Sequence, residues 1–284
     1  MIAIVKRNCK IYFNNRTNVL FSLLGSLIVF ALYVLFLREN TISQVEQLKN
    51  GALLIDMWLL GGILAVTALT TSLSTLGQMI RDKAQNKFMD FSITDTAPFS
   101  LLAGYFFSAV IISVLMQLVV FIVCLAYFAK QEALLLSIDL IIKTFILIIL
   151  SALTATSFNL VLLSFVKSEE TLKTLGSIFG ALSGFLCTAY VPVGNFSGAA
   201  LTIIKIFPMS YASSSFRRTL MTPILSDFSV AQSEALKKSL GVGYLWHNQL
   251  SGAHFELFFL GLTILVSLVI IGILSRKILQ VTLA

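Results

Sequence analysis

The residues that could do chemistry here are few, and their spacing argues against most of it. The chain holds two histidines, His247 and His254, seven positions apart. A helical zinc site of the H-E-x-x-H kind needs its histidines four apart, so that both imidazoles face one ion beside a glutamate. Three cysteines, Cys9, Cys124 and Cys187, are scattered without metal or redox spacing. No G-x-S-x-G elbow presents a serine nucleophile. No G-x-x-x-x-G-K-[ST] stretch cradles nucleotide phosphates, and Gly241-Val-Gly243 lacks the third glycine and preceding strand of a dinucleotide site. The expected chain does no covalent chemistry and binds no metal or cofactor of its own.

Apolar length is what this sequence has instead. Of its 284 residues 57% are hydrophobic and 12% charged, where a soluble domain carries about 25% charged residues. The apolar residues come in blocks of about twenty or more, enough to cross a roughly 30 Å hydrocarbon core at 1.5 Å per residue. Six blocks read as spans: Val19–Leu37, Leu53–Gly77, Leu101–Phe128, Asp139–Val166, Thr174–Val193 and His254–Leu274. A lone strand cannot satisfy its backbone in lipid, and the ten-residue alternation of a membrane barrel is missing. The expected fold is therefore an all-α polytopic membrane protein with six transmembrane helices. The first span is too long for a signal-peptide core, and "FLRENTISQ" after it offers no cleavage site.

Shorter segments complete the architecture. Residues 1–17 put Ile2, Val5, Cys9, Tyr12 and Phe13 on one helical face, opposite Lys6, Arg7, Lys10 and Asn14, as in an interfacial amphipathic helix. Residues 194–253 form an external segment. Its stretch "GAALTIIKIFPMSYASSSFRR" is apolar for about ten residues and breaks at Pro208, too short to span, so a re-entrant-like outer helical hairpin is expected before the last span. "SDFSVAQSEALKKSLG" then reads as a polar external helix.

Charge gives the expected orientation. With the N-terminus inside, the short inner segments hold Lys6, Arg7, Lys10, Arg16, Arg81, Lys83, Lys87, Lys167, Lys173, Arg276 and Lys277, while the short outer loops hold Arg38, Lys49 and Lys130. Long loops weigh little in the positive-inside rule, so both termini are expected in the cytoplasm. The formal charge of +7 is spread rather than clustered, which points to a lipid bilayer and not to nucleic acid. Acidic residues gather at outer helix ends (Asp56, Asp139, Glu256). A proton relay would place carboxylates at mid-membrane, and none is expected there.

Three patterns remain as candidate sites. Thr67, Thr70, Thr71, Ser74 and Gln78 make a hydroxyl and amide stripe on the second span, facing either neighbouring helices or a translocation path. Gly176, Gly180 and Gly184 make a glycine face on the fifth span, for packing within the chain or against a second copy. The third pattern is the longest inner loop, 78–100, "QMIRDKAQNKFMDFSITDTAPFS". A short helix from about Ile80 to Phe91 would present Phe88, Met89 and Phe91 as apolar knobs, ringed by Arg81, Lys83, Lys87 and Asp90, before Pro98 starts the next span. Apolar knobs within a charged rim suit a small protein interface.

A chain with six spans, no catalytic centre and no encoded energy source needs that source to dock from the cytoplasm. In this the sequence resembles the membrane permease subunits of bacterial ABC exporters of the type-2 class. The resemblance runs through the amphipathic N-terminus into "NVLFSLLGSLIVFALYVLFL", the charged loop closing on "SITDTAP", and "YVPVGNFSGAALTIIKIFPMSYASSSFRRTL" with Pro192, Pro208, Tyr211 and Arg217. The loop departs from the usual Glu-Gly-Thr-Leu-Glu run, reading "QNKFMD" with Asp90 as the matching acid. The resemblance implies a single transmembrane domain over 1–284 that exports a hydrophobic or amphipathic drug, antibiotic, peptide or lipid across the plasma membrane. It implies pairing with a second permease copy or a similar permease, and with cytoplasmic ATP-binding subunits that carry ATP and magnesium. Two other classes stay open on the residues: a membrane sensor or immunity protein for membrane-active compounds, and a lipid-modifying membrane enzyme.

Overall fold

The computed structural model describes residues 1–38, 50–88, 98–130, 137–246 and 249–280. The chain begins with α1 (Ile2–Asn14), which turns at Asn15 into α2 (Arg16–Leu32), continued by a π-helical turn (Tyr33–Leu37). Then follow α3 (Gly51–Ala84), α4 (Pro98–Phe128), α5 (Ile138–Leu163) and α6 (Glu169–Leu186). The hairpin helices α7 (Gly198–Ile206) and α8 (Pro208–Leu225) lead to α9 (Val230–Leu240). Two short antiparallel strands, β1 (Leu245–Trp246) and β2 (Gln249–Leu250), precede α10 (Ala253–Gln280).

Local chemistry explains where these helices start. The Ser137 hydroxyl accepts from the Leu140 N–H at the start of α5, and Ser168 accepts from Thr171 at the start of α6. Asp139 in one first turn, and Glu169 with Glu170 in the other, face the positive helix end. Proline at the first position of α8 removes an N–H that would have no partner there, and it divides the hairpin where expected. Ser229 and Gln232 form a reciprocal capping box on α9.

The centre of the protein is α3. Its most apolar window is 89% buried within the chain, against 22% for α10, so α3 is a core helix and α10 leaves most of its apolar surface uncovered by this chain. Helices α4, α5 and α8 pack on α3, as do α2 and α6, while α10 packs on α5 and α8. Among the described residues five helices are long and apolar enough to cross a membrane: Arg16–Phe36, Gly51–Ala84, Phe99–Phe128, Ile138–Leu163 and Ala253–Ile273. The fifth expected span, Thr174–Val193, is displaced. Helix α6 starts earlier and ends at Leu186, because Ser168 caps it and a tight turn closes it. Its 18 residues, roughly 27 Å of helix, run antiparallel to α3, with Leu172 against Gly77 and Ala189 against Gly62.

One other expectation needs correction. No separate helix starts near Ile80. The 34-residue α3 runs without a break to Ala84, and a turn with Asn86 in the left-handed region follows. Asp82, at the end of this helix, is buried and bonded on every side, so the charges that looked like a solvated loop instead extend the core. The side of α1 that packs on the bundle overlaps the apolar face only at Tyr12. Ile4, Asn8 and Tyr12 point inward, whereas Ile2 is 79% exposed and Phe13 45%. A Cβ at Gly104 would meet Ile4 at 2.7 Å, and the Asn8 amide donates to Ser108 Oγ at 3.2 Å, so a small-residue seam on α4 seats the helix.

Candidate functional site

At the α1 side of the bundle sits Asp82, fully buried on the last turn of α3. Arg7 of α1 grips it as a fork, Nη1 to Oδ2 at 2.7 Å and Nη2 to Oδ1 at 2.9 Å. The Tyr105 hydroxyl of α4 donates to Oδ2 at 2.6 Å, Gln78 Nε2 donates to Oδ1 at 2.8 Å, and Lys87 Nζ lies 3.6 Å away. The hydrogen bond to Asp82 raises the Arg7 pKa above its ordinary value, so the cation persists at any physiological pH. One carboxylate thus ties the interfacial helix, the central helix, α4 and the start of the 85–97 segment. Forked, charge-assisted bonds fix angle as well as distance. The joint holds these elements at a fixed distance and angle.

The expected docking residues divide around this joint. Arg81 bonds back along its own helix, to Gln78 Oε1 at 3.2 Å and the Ser74 carbonyl at 3.3 Å. Lys87 leans onto Asp82 with its side chain 41% exposed. Phe88 is 4% exposed, its ring 6.2 Å from that of Tyr105, within the cluster that holds Met79 and Ile80. It is a core residue of this chain rather than an outward knob, because burying the ring against Tyr105 seals the apolar side of the Asp82 joint. Met89, Asp90 and Phe91 lie outside the described residues.

The hydroxyl stripe also divides. Thr67 and Thr71 are fully buried and donate to carbonyls one turn back, with Thr71 Oγ1 3.3 Å from Ser113 Oγ of α4. Thr70 donates to the Val66 carbonyl and sits by Gly25 of α2. Ser74 donates to Asn18 Oδ1 at 3.1 Å, and Gln78 turns to Asp82. Two directions emerge, one into the α3–α4 interface and one toward α2. On the glycine face, Gly184 is covered by the Tyr190 ring, and the backbone at Gly180 lies beside Gly25 of α2. Gly176 and Gly180 present their missing Cβ positions to open space.

Sequence reading missed Asp82, Arg7 and Tyr105. A signal was present: Gln78 and Asp82 stand four apart and prolong the line Thr67, Thr71, Ser74, so the stripe runs into an acid. Two more buried carboxylates mark the opposite, hairpin side. Asp56 accepts from Tyr33 at 2.6 Å and Arg38 at 3.2 Å, and Glu256 accepts from Ser214 and Arg218. Among the described residues no group of three His, Cys, Asp or Glu side chains could hold a metal ion.

The stripe yields a first prediction. Thr71→Val should cost only about 0.6 kcal/mol, the usual worth of a hydroxyl bond between membrane helices. Thr71→Leu, which adds volume at a site with no exposure, should cost about 1–3 kcal/mol. Thermal unfolding in one detergent compares them. Equal, negligible effects would mean that the threonine faces a cavity.

The family model described as ABC-2 type transporter matches residues 1–221. No curated protein matches the chain.

Proposed function

The chain belongs to the ABC-2 type transporter family, and we propose that it is the permease subunit of an exporter that moves a hydrophobic or amphipathic compound out across the plasma membrane. As a multi-pass ABC permease it works with an ATP-binding subunit. That subunit binds ATP and magnesium and docks on the cytoplasmic segment 78–100, with both termini of this chain on the same side. The observation that carries this reading is the Asp82 joint. A push on the segment after Ala84 reaches α1, α3 and α4 together, because Lys87, Arg7, Gln78 and Tyr105 all converge on one buried carboxylate.

The second permease, identical or similar, takes the open face of α6 and α2. On α6 this face exposes Ile178, Leu182 and Phe185 beside the uncovered Gly176 and Gly180, and on α2 it exposes Leu20, Phe21 and Leu24. Thr71 points away from it into the α4 interface and Thr67 is buried, so the path between the two copies is assigned to α2, α6 and the Thr70 side of α3.

Purification from native membranes tests the proposal. An ATP-binding subunit, recognised by its G-x-x-x-x-G-K-[ST] loop, should co-purify with the wild-type chain and change its ATPase rate on addition of a hydrophobic ligand. Met89→Ala with Phe91→Ala should release it, since buried apolar anchors at interfaces cost on the order of 2 kcal/mol when truncated. Recovery of the folded chain with no ATPase in lipid nanodiscs would sink the assignment.

A further inference from the structure

The most unusual group outside the Asp82 joint is Arg217 on α8. Its side chain is fully buried, and among the described residues no ion pair includes it. A buried guanidinium without a carboxylate needs its charge spread over dipoles and ring faces. Nε donates to the Trp58 carbonyl at 3.1 Å, and the guanidinium carbon lies 4.9 Å from the centre of the Trp58 ring. Nη1 donates to Thr188 Oγ1 and Nη2 to the Thr188 carbonyl, each at 2.6 Å.

Space for this arm is made by two glycines of α3. A Cβ at Gly61 would lie 2.8 Å from Arg217 Cγ, and one at Gly62 would lie 3.0 Å from Nη2. Alanine at either position would press on the arm.

Thr188 itself is out of place by local rules. Helix α6 ends in a turn in which the Thr188 N–H bonds the Phe185 carbonyl and the Ala189 N–H bonds the Gly184 carbonyl. That pair of bonds is the Schellman pattern, whose left-handed position glycine or asparagine usually fills. Here it is a β-branched threonine at φ 52°, a conformation such residues rarely adopt. The hydroxyl that glycine lacks is the one Arg217 holds.

We propose that Arg217 is a positioning residue: through Thr188 it ties the hairpin-side end of α6 to α8 and α3, so that this end of α6 moves with the hairpin as one body. The part concerning movement rests on the permease reading above; the tie does not. A helix with an open face toward a second copy needs its end set by something other than broad packing, and a forked donor on one turn sets it.

Spin labels test the tie in the full chain, in nanodiscs of phosphatidylethanolamine and phosphatidylglycerol, with Cys9 replaced by serine. Labels at positions 182 on α6 and 226 at the end of α8, both exposed, report the distance across the tie, in labelled chains diluted with an excess of unlabelled chain so that distances between copies do not enter. A control pair at 226 and 164 reports the rest of the bundle. The wild type should give one narrow distance. Arg217→Lys keeps the charge but cannot fork, and should broaden the 182–226 distance while the control stays narrow. Thr188→Gly relaxes the turn and so folds, yet removes one acceptor; it should broaden the same distance to a lesser degree. Thr188→Gly decides alone if Arg217→Lys does not fold. Wild-type distributions in the folded variants, or equal broadening of the control, would overturn the tie and leave Arg217 a general stabiliser. With the ATP-binding subunit trapped by ATP and vanadate, the wild-type 182–226 distance should hold. A change there would overturn the one-body movement. Absence of any ATPase partner would instead count against the permease reading and leave the tie standing.

Discussion

Arg7→Ala should destabilise the folded chain more than Asp82→Asn, by about 3 kcal/mol against about 1 kcal/mol. The two changes remove opposite halves of one ion pair, so a view that assigns the pair a single energy expects equal losses. Burial says otherwise. Asp82 has no exposed surface, whereas the Arg7 side chain is 28% exposed. Without Arg7 the carboxylate stays buried, with hydrogen bonds from Tyr105 and Gln78 and with the Lys87 ammonium 3.6 Å away. An unpaired buried charge costs about 3–5 kcal/mol, and Lys87 can move in to offset part of that, which sets the lower figure. Without the Asp82 charge, Arg7 can reach toward water and headgroups along its flexible stem, and the amide oxygen of the substituted side chain would still accept from Tyr105. Thermal unfolding of both variants and of the double variant, in one detergent, gives the order and the coupling. The reverse order would show that Asp82 is already hydrated and that the joint is not closed. The same cycle has a functional face: Arg7→Ala should free α1 and reduce ATP-driven transport more than ATPase binding, because the segment proposed as the docking site lies beyond Ala84.

Much of this fold could be read along the chain because lipid makes the rules simple. A run of apolar residues must be a helix, proline at 208 must break a short one, and the polar run from Ser226 to Gly241 must lie outside the spans. What could not be read has a common cause. In a membrane an apolar residue can face out as comfortably as in, so the apolar face of α1 does not say which side docks. Ile2 and Phe13 belong to that face and are exposed, while Asn8 is buried because Ser108 waits for it on α4. The Arg7–Asp82 pair joins residues 75 positions apart, and no local pattern holds such a partnership. Phe88 shows the same thing in reverse: beside charges in the sequence it reads as an exposed knob, and only the position of Tyr105 turns it inward. Helix α6 fell between the rules, since Glu169, Glu170 and Lys173 in its first turns cut its apolar length while Leu172 still packs on Gly77.

Glu256→Ala should be the most damaging single change on the hairpin side, at about 3–5 kcal/mol, and Asp139→Ala should cost about 0.5 kcal/mol or less. Distance alone would rank them the other way. Asp139 and Lys143 stand 2.6 Å apart, closer than the 2.8 Å between Arg218 and Glu256. The first pair is 70% and 61% exposed, so water competes for both charges and screens them. Glu256 has no exposed surface and stands in the first turn of α10, where the helix end favours an acid. Its oxygens accept from Ser214 at 2.7 Å, Ser215 at 3.2 Å and both Nε and Nη2 of Arg218. Ser214 accepts in turn from the Gly243 N–H at 2.7 Å, and Arg218 also donates to the Ser251 carbonyl. Removing the carboxylate therefore leaves a partly buried guanidinium and three buried hydroxyls, of Ser214, Ser215 and Ser251, short of acceptors at once, at the point where α8, the strand pair and α10 meet. Glu256→Gln keeps one acceptor oxygen and should fall between wild type and Glu256→Ala. The check is the unfolding midpoint of the three variants in the same detergent, with cleavage by protease in the 226–252 region as a local readout. A loss for Asp139→Ala as large as that for Glu256→Ala would mean that proximity, not desolvation, governs these pairs, and the argument for the Asp82 joint would weaken with it.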